Sequence, residues 1–286
     1  MSYEQLCHSP LKYDPVAYPG SALQFRGPAL DLDEPYVLCL GGSETFGRFI
    51  EQPYATELQA RLPCPVVNLG VLNAGLDVMT GDPVIRAMAE GASAVVLQVP
   101  GAANMTNRFY TVHTRRNDRF LRASTMLKTI YPDVDFTEFH FTRHLLSHLQ
   151  TVSEERMSIL IEELRVAWTA RMTRFITRCA APVHLLWLST RRPDTEDLEG
   201  LAAVWGGDPI FVTEAMLKQV AGQAASLSTV MPMPNQPRHG TDGKVFAPQE
   251  EAAARVMPGP DAHHRAADLL LPRLETSLSA AAPCPG

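Results

Sequence analysis

The run LCLGGSETFGRFI (residues 38–50) carries an apolar stretch into two glycines, a serine and what reads as the first turn of a helix. Such a turn serves plain strand-to-helix packing, a cradle of backbone N–H groups for phosphate, or a serine held exposed at the end of a sheet. A phosphate loop needs G-x-x-x-x-G-K-[ST] and a dinucleotide turn needs G-x-G-x-x-G. Neither pattern is present, and no lysine follows Gly41 and Gly42. The G-x-S-x-G elbow that exposes a nucleophilic serine would need glycine where this chain has Thr45. Ser43 also has an ordinary explanation, an N-cap whose hydroxyl holds its own helix.

Other residues of reactive type recur downstream. NLGVLNAG (68–75) and GAAN (101–104) place Gly70, Asn73 and Asn104 after apolar runs, and DAHH puts Asp261 just before His263 and His264. Asn68 and Asn73 suit turn-holding roles, and Asp261 suits the first turn of a helix. Arg108, Arg115, Arg116, Arg119 and Arg122 interleave with Phe109, Tyr110 and Phe120 around His113. Guanidinium forks in such a cluster recognise carboxylate or phosphate, and the same cluster also suits a solvated face or an inter-subunit salt-bridge patch in a homo-oligomer. His140, His144 and His148 share one face of a helical segment, but along it they span ~12 Å, too far for one tetrahedral ion. They read as a partly buried stripe, and no metal site is expected.

These residues need elements to position them. YVLCL (36–40), VVNLG (66–70) and SAVVLQVPG (93–101) are short apolar runs of buried-strand length, separated by helical spacing through Phe49, Tyr54, Leu58 and Leu62 and then through 76–91. Pro53 implies a break or a fresh helix start. The alternation predicts a three-layer α/β/α sandwich with a flavodoxin-like parallel sheet of about five strands. Ligands in such sheets sit beyond the carboxyl ends of the strands, here Gly41–Ser43, Gly70–Gly75 and Gly101–Asn104. VHLLWLS (183–189) reads as a fourth strand, DPIFVT (208–213) as a fifth and LSTVMPM (227–233) as a weaker sixth. Thr151 with Glu154 looks like a capping box opening a helix to about Cys179. Residues 191–207 and 234–250 read as loops, and HHRAADLLLPRLETSL closes the chain as an amphipathic helix. The expected organisation is an irregular leader over 1–35 and a single domain over 36–286, with a helical and basic insertion at about 105–150.

The chain has 286 residues, enough for one sizeable core. Its 25 Lys+Arg against 31 Asp+Glu give a net charge of −6, so nothing global steers it to nucleic acid or an anionic membrane. No apolar run approaches the ~18 residues of a membrane span, and the start lacks the basic and apolar regions of a signal peptide. The five cysteines are scattered, with no C-x-x-C pair, which points to a reducing compartment, a bacterial-type cytoplasmic address.

In order and placement, the GGS turn, N-x-G, G-x-x-N and D-x-H-H blocks resemble those of the SGNH/GDSL hydrolase superfamily, as a divergent bacterial branch. The resemblance spans most of the chain apart from the leader and 105–150. It departs from the pattern at Gly42, where an acid usually precedes the serine, and in G-x-x-N, one residue longer than G-x-N. The resemblance implies an esterase or deacetylase in which Ser43 is the nucleophile, His263 or His264 the base and Asp261 its orienting acid. Ser43, Gly70 and Asn104 (or Asn107) would supply the oxyanion hole. His263 is preferred because it directly precedes the helical run; Asp261 is then only two residues away. Asn73, Arg108, His113, Arg115 and Arg116 are candidates for binding substrate, an O-acyl ester of a small molecule or carbohydrate, and no cofactor is implied. Two alternatives stand beside this one: a non-catalytic module of the same scaffold that holds an anionic ligand or partner through its arginine-rich insertion, and an O-acyltransferase using the same serine.

Overall fold

A computed structural model describes residues 9–194, 208–231 and 240–281. Its centre is a parallel sheet of β1 (Val37–Gly41), β2 (Val66–Gly70), β3 (Ala94–Gln98), β6 (Val183–Leu188) and β7 (Ser226–Val230), in the order β2-β1-β3-β6-β7. The antiparallel pair β4 (Tyr110–His113) and β5 (Arg116–Ala123) stands apart from it. The main sheet therefore has the flavodoxin-like order, and the chain reverses direction across it between β1 and β3.

The strands β1, β2, β3 and β6 are mostly apolar because both faces are covered. Leu38, Leu40, Val95, Leu97, Leu185 and Trp187 point into one core, and Val37, Cys39, Ala94, Val96, Leu186 and Leu188 into the other. Side chains alternate faces along a strand, so one run of residues feeds both layers. On the first face lie α3 (Leu76–Gly81), α4 (Pro83–Gly91), α7 (Glu154–Arg178) and α8 (Glu214–Ala221), whose buried residues join the first core. On the second lie α2 (Tyr54–Arg61) and α10 (Pro260–Ala281), through Tyr54, Leu58, Ala266, Leu270 and Leu274. The arrangement is an α/β/α sandwich.

Several elements differ from the sequence reading, each for a local reason. The helical spacing over 76–91 is divided at Pro83, and the Asp82 carboxylate accepts the Val84 and Ile85 N–H groups to start α4. Thr151 ends α6 (Thr142–Val152), and it is Ser153 that caps α7 by accepting the Arg156 N–H. Residues 208–213 do not form a strand. Ile210, Phe211 and Val212 are buried, but Phe211 has φ +64°, and the buried Arg191 guanidinium takes the Pro209 and Val212 carbonyls that a strand would have paired. The fifth strand of the sheet is β7, at the start of the run read as a weaker sixth strand. Within the 105–150 stretch the basic and aromatic residues form the β4–β5 hairpin, followed by α5 (Thr125–Ile130), a 3-10 turn and α6. His140 precedes α6, so only His144 and His148 lie on its surface, flanking the Phe139 ring. The loop reading of 195–207 and 234–239, and Cys7 and Cys284, lie outside the described residues. Of the remaining cysteines, Cys39, Cys64 and Cys179 are free thiols. Among the described residues no helix is long and apolar enough to cross a membrane.

Candidate active site

The turn after β1 is built by Gln98, at the end of the neighbouring β3. Its buried Oε1 accepts the Gly42 N–H (3.0 Å), the Thr45 N–H (3.1 Å) and the Thr45 hydroxyl (2.7 Å). One side chain thus satisfies two of the open N–H donors at the start of α1 (Ser43–Phe46), which has no side-chain cap of its own, and leaves the Ser43 N–H outside this set. Gly41 is required by this closeness, since a Cβ there would lie 1.9 Å from Thr45 Oγ1 and 2.4 Å from Gln98 Oε1. Ser43 falls at the first position of α1 rather than at its cap. Its Oγ accepts the Asn73 N–H at 3.0 Å, and Asn73 adopts φ +57° to present that group. The hydroxyl proton is left uncommitted to the helix.

Ser43 opens onto a cleft of about 600 Å³ at the carboxyl ends of the strands. Asn73 and Ala74 reach it from beyond β2, Ala103 and Asn104 from beyond β3, and Asp118 from β5. Phe141, Thr142, Arg143, His144 and Ser147 close it from the start of α6, and Asp208 and Ile210 from the segment after β6. Ser43 and Asn104 stand on either side of the point where the chain reverses across the sheet, where this fold class binds ligands. The Thr142 hydroxyl donates to Asn104 Oδ1 at 2.5 Å, which leaves the Asn104 NH₂ as the group turned to other partners.

Two carboxyl groups of the cleft, Glu44 and Asp118, are harder to ionise than usual. Burial raises the Glu44 pKa and Asp208 adds to it, against the Gln98 Nε2 bond to Glu44 Oε2 (2.7 Å). Burial likewise raises that of Asp118, whose buried Oδ1 meets no partner, although Arg116 and Arg119 pull the other way. Among the described residues no group of three or more His, Cys, Asp or Glu could hold a metal ion.

A family model described as "Domain of unknown function (DUF6473)" matches residues 1–278. The chain belongs to this family. No curated protein matches the DUF6473 chain. Among solved structures it is similar to a family two carbohydrate esterase from Cellvibrio japonicus, at a TM-score of 0.41 and 12% identity, over 90% of this chain and 64% of that one. The DUF6473 chain thus spans less than two thirds of that esterase. A catalytic mutant of an acetylxylan esterase from Geobacillus stearothermophilus gives 0.41 and 15%, over 84% and 94% of the two chains. An α/β hydrolase enzyme from the metagenome of Lake Arreo gives 0.41 and 13%, over 85% and 96%.

Within the DUF6473 chain the structure brings together Ser43, Asn73 and Asn104 and separates them from the other residues singled out in the sequence. Gly70 does not offer its N–H to the cleft. That group donates to Asn68 Oδ1 at 2.9 Å, while Asn68 Nδ2 holds the Thr45 carbonyl at 2.8 Å, and Gly70 is glycine because the Phe46 backbone presses on it. His263 is buried in the second core rather than in the cleft. The Tyr54 N–H donates to its Nδ1 at 3.3 Å, the two rings stack, and burial pushes its pKa down to about 3 with help from the Arg26 and Lys244 charges. His264 lies on the surface between Glu57 (2.8 Å) and Asp268 (3.6 Å), and the Glu57 hydrogen bond raises its pKa. Asp261, in the first turn of α10, lines a different pocket with Lys244 and Arg265.

The hairpin residues are likewise turned elsewhere. Arg108 pairs with Glu163 at 3.3 Å, His113 Nδ1 accepts the N–H of the exposed Arg115, and neither these nor Arg116 line the cleft. Asn107 Oδ1 folds back onto the Phe109 and Tyr110 N–H groups. The cleft histidine is His144, which the stripe pattern flagged without a role. Its position in the first turn of a helix within the insertion was the available signal. Asp208 and Gln98 were also missed. A lone glutamine ending the apolar run AVVLQ is the one sequence sign of the latter.

Proposed function

We propose that this chain is a serine ester hydrolase whose nucleophile is Ser43 and whose general base is His144, supplied by the inserted segment rather than by the C-terminal histidines. The observation that carries this reading is the Ser43 hydroxyl, held by the Asn73 N–H instead of its own helix, in a cleft that also contains Asn104 and His144. The SGNH/GDSL resemblance supports the serine and the asparagine; the placement of His263 and His264 speaks against a base at the C-terminus.

The chemistry follows from these groups. Ser43 Oγ adds to the acyl carbon of an ester while its proton passes to His144, and the carbonyl electrons move onto oxygen. The Asn104 amide and the Ser43 N–H, which has no partner within α1, are the donors for that oxyanion. Collapse breaks the bond to the alcohol, which leaves with the proton from His144. Water then repeats the cycle on the acyl-serine. Asn73, Asp118, Arg143 and Ser147 give the cleft a polar lining suited to an O-acyl ester of a small polar alcohol or sugar.

Intact-mass analysis with a fluorophosphonate probe tests this directly. Wild-type protein should gain one adduct, Ser43→Ala none, and His144→Ala should react about 10²-fold more slowly, in the range of a lost general base. His264→Ala should behave as wild type. An unreacted wild-type chain with intact secondary structure would sink the proposal.

A further inference from the structure

A second recess of about 370 Å³ lies between α4 and α7 and shares no residue with the Ser43 cleft. Its charged lining is Arg86 and Glu90 from α4, Asp77 from α3, and Arg171, Arg174 and Arg178 from α7. Spacings of three and four place the last three on one helix face, one above another. Such neighbours repel, and a helix at rest relieves the repulsion with acids at the same spacing. Here only Arg171 is neutralised, by Asp77 at 2.7 Å, and Asp77 is already engaged by the Thr106 N–H. Among the described residues Arg86, Arg174 and Arg178 meet no acceptor. Four arginines against two carboxylates leave the recess at +2, in a chain whose net charge is −6.

We infer that this recess binds a phosphoryl group, held by the guanidiniums of Arg86, Arg174 and Arg178 that line it from two helices. Planar forks with paired donors match the oxygens of a phosphoryl group, and a dianion balances the local charge of +2. The volume admits a ligand of pyrophosphate size and leaves the ester chemistry at Ser43 untouched. The phosphoryl group can be free in solution or the headgroup of a lipid, and the two sources differ in what the protein must approach.

The full chain is titrated with inorganic pyrophosphate by calorimetry at low salt, and separately sedimented with vesicles containing phosphatidic acid. Pyrophosphate binding that weakens at least tenfold in Arg174→Gln/Arg178→Gln, and is unchanged in Arg122→Gln/Lys128→Gln, supports a site for a soluble phosphate. Vesicle binding lost in the same variant, with pyrophosphate silent, supports the lipid headgroup. Wild-type protein that binds neither, or equal weakening in both double variants, overturns the inference. All four side chains are exposed, so folding is checked by circular dichroism and does not confound the comparison.

Discussion

Gln98 Oε1 accepts the Thr45 hydroxyl at 2.7 Å, tying the end of β3 to the helix that begins at Ser43. The same oxygen takes two further N–H groups of that turn, all of them buried. A single amide from one strand therefore sets the position of the serine carried by the next. Gln98→Ala leaves these donors without an acceptor, and each unsatisfied buried group costs about 1–3 kcal/mol. The expected result is a lower denaturant midpoint equivalent to about 3 kcal/mol, together with a loss of fluorophosphonate labelling at Ser43 in protein that is still folded. Labelling at the wild-type rate would mean that the turn keeps its shape without Gln98.

Asn104 is oriented by Thr142, whose hydroxyl holds Oδ1 and leaves the amide hydrogens for the cleft. Asn104→Ala should lower kcat toward ester substrates by about 10²–10³-fold, the usual loss for one oxyanion donor, with little change in KM. Thr142→Val removes only the orienting bond and should lower kcat less, with the Asn104→Ala/Thr142→Val double variant no worse than Asn104→Ala alone. Additive losses in the double variant would show that Thr142 acts on something other than Asn104.

The sheet was legible because strands buried on both faces are dominated by apolar residues, and the runs at 37–41, 66–70, 94–98 and 183–188 are, with Asn68, Gln98 and His184 as their polar members. Residues 208–213 look the same in composition, but their burial comes from packing, and a buried arginine satisfies the backbone that pairing would have satisfied. The serine and the glycine-asparagine blocks were legible for the same reason as the strands, since they sit at their ends. The cleft histidine was not. Ser43 and His144, 101 residues apart, line one cleft through an insertion whose path no local pattern specifies, while His263 and His264 follow Asp261 in sequence but lie in the wrong surroundings. Gly70 likewise has the expected sequence context, but its N–H is consumed two residues away by Asn68.

The hairpin is fastened to this site by Asn117, fully buried in β5. Its Oδ1 accepts the Gly75 and Val78 N–H groups at the start of α3, and its Nδ2 donates to the His113 carbonyl. Asn117 thus caps a helix from a distant strand and fixes the neighbouring Asp118 in the cleft. Asn117→Ala should cost about 2–3 kcal/mol in chemical denaturation, because it orphans two buried donors. Asn117→Asp keeps the acceptor and should recover part of that loss. Equal destabilisation by the two substitutions would place the effect in packing instead.

Two buried histidines make stability fall with acid. Burial lowers His263 from 6.5 to about 3 and His184, held between Ser226 (2.8 Å) and Ser277 (3.0 Å), from 6.5 to about 4. Both are neutral in the folded chain, and the unfolded chain takes up a proton at each once the pH drops below 6.5. Their contribution is therefore whole above pH 6.5 and is lost as the pH falls toward the folded values. With both sites charging only on unfolding, the two histidines together lower stability by about 2.7 kcal/mol per pH unit near pH 5, at about 1.36 kcal/mol for each proton. Glu44 and Asp118, raised by burial, act in the opposite sense, but they are common to wild type and variant and cancel in the difference. Denaturant unfolding between pH 7 and 4.5 should thus show a shallower slope for His263→Gln, by about 1.4 kcal/mol per unit, whatever its stability at pH 7. Parallel slopes for the two proteins would mean that His263 can be protonated within the fold, and that the Tyr54 N–H does not hold its ring neutral.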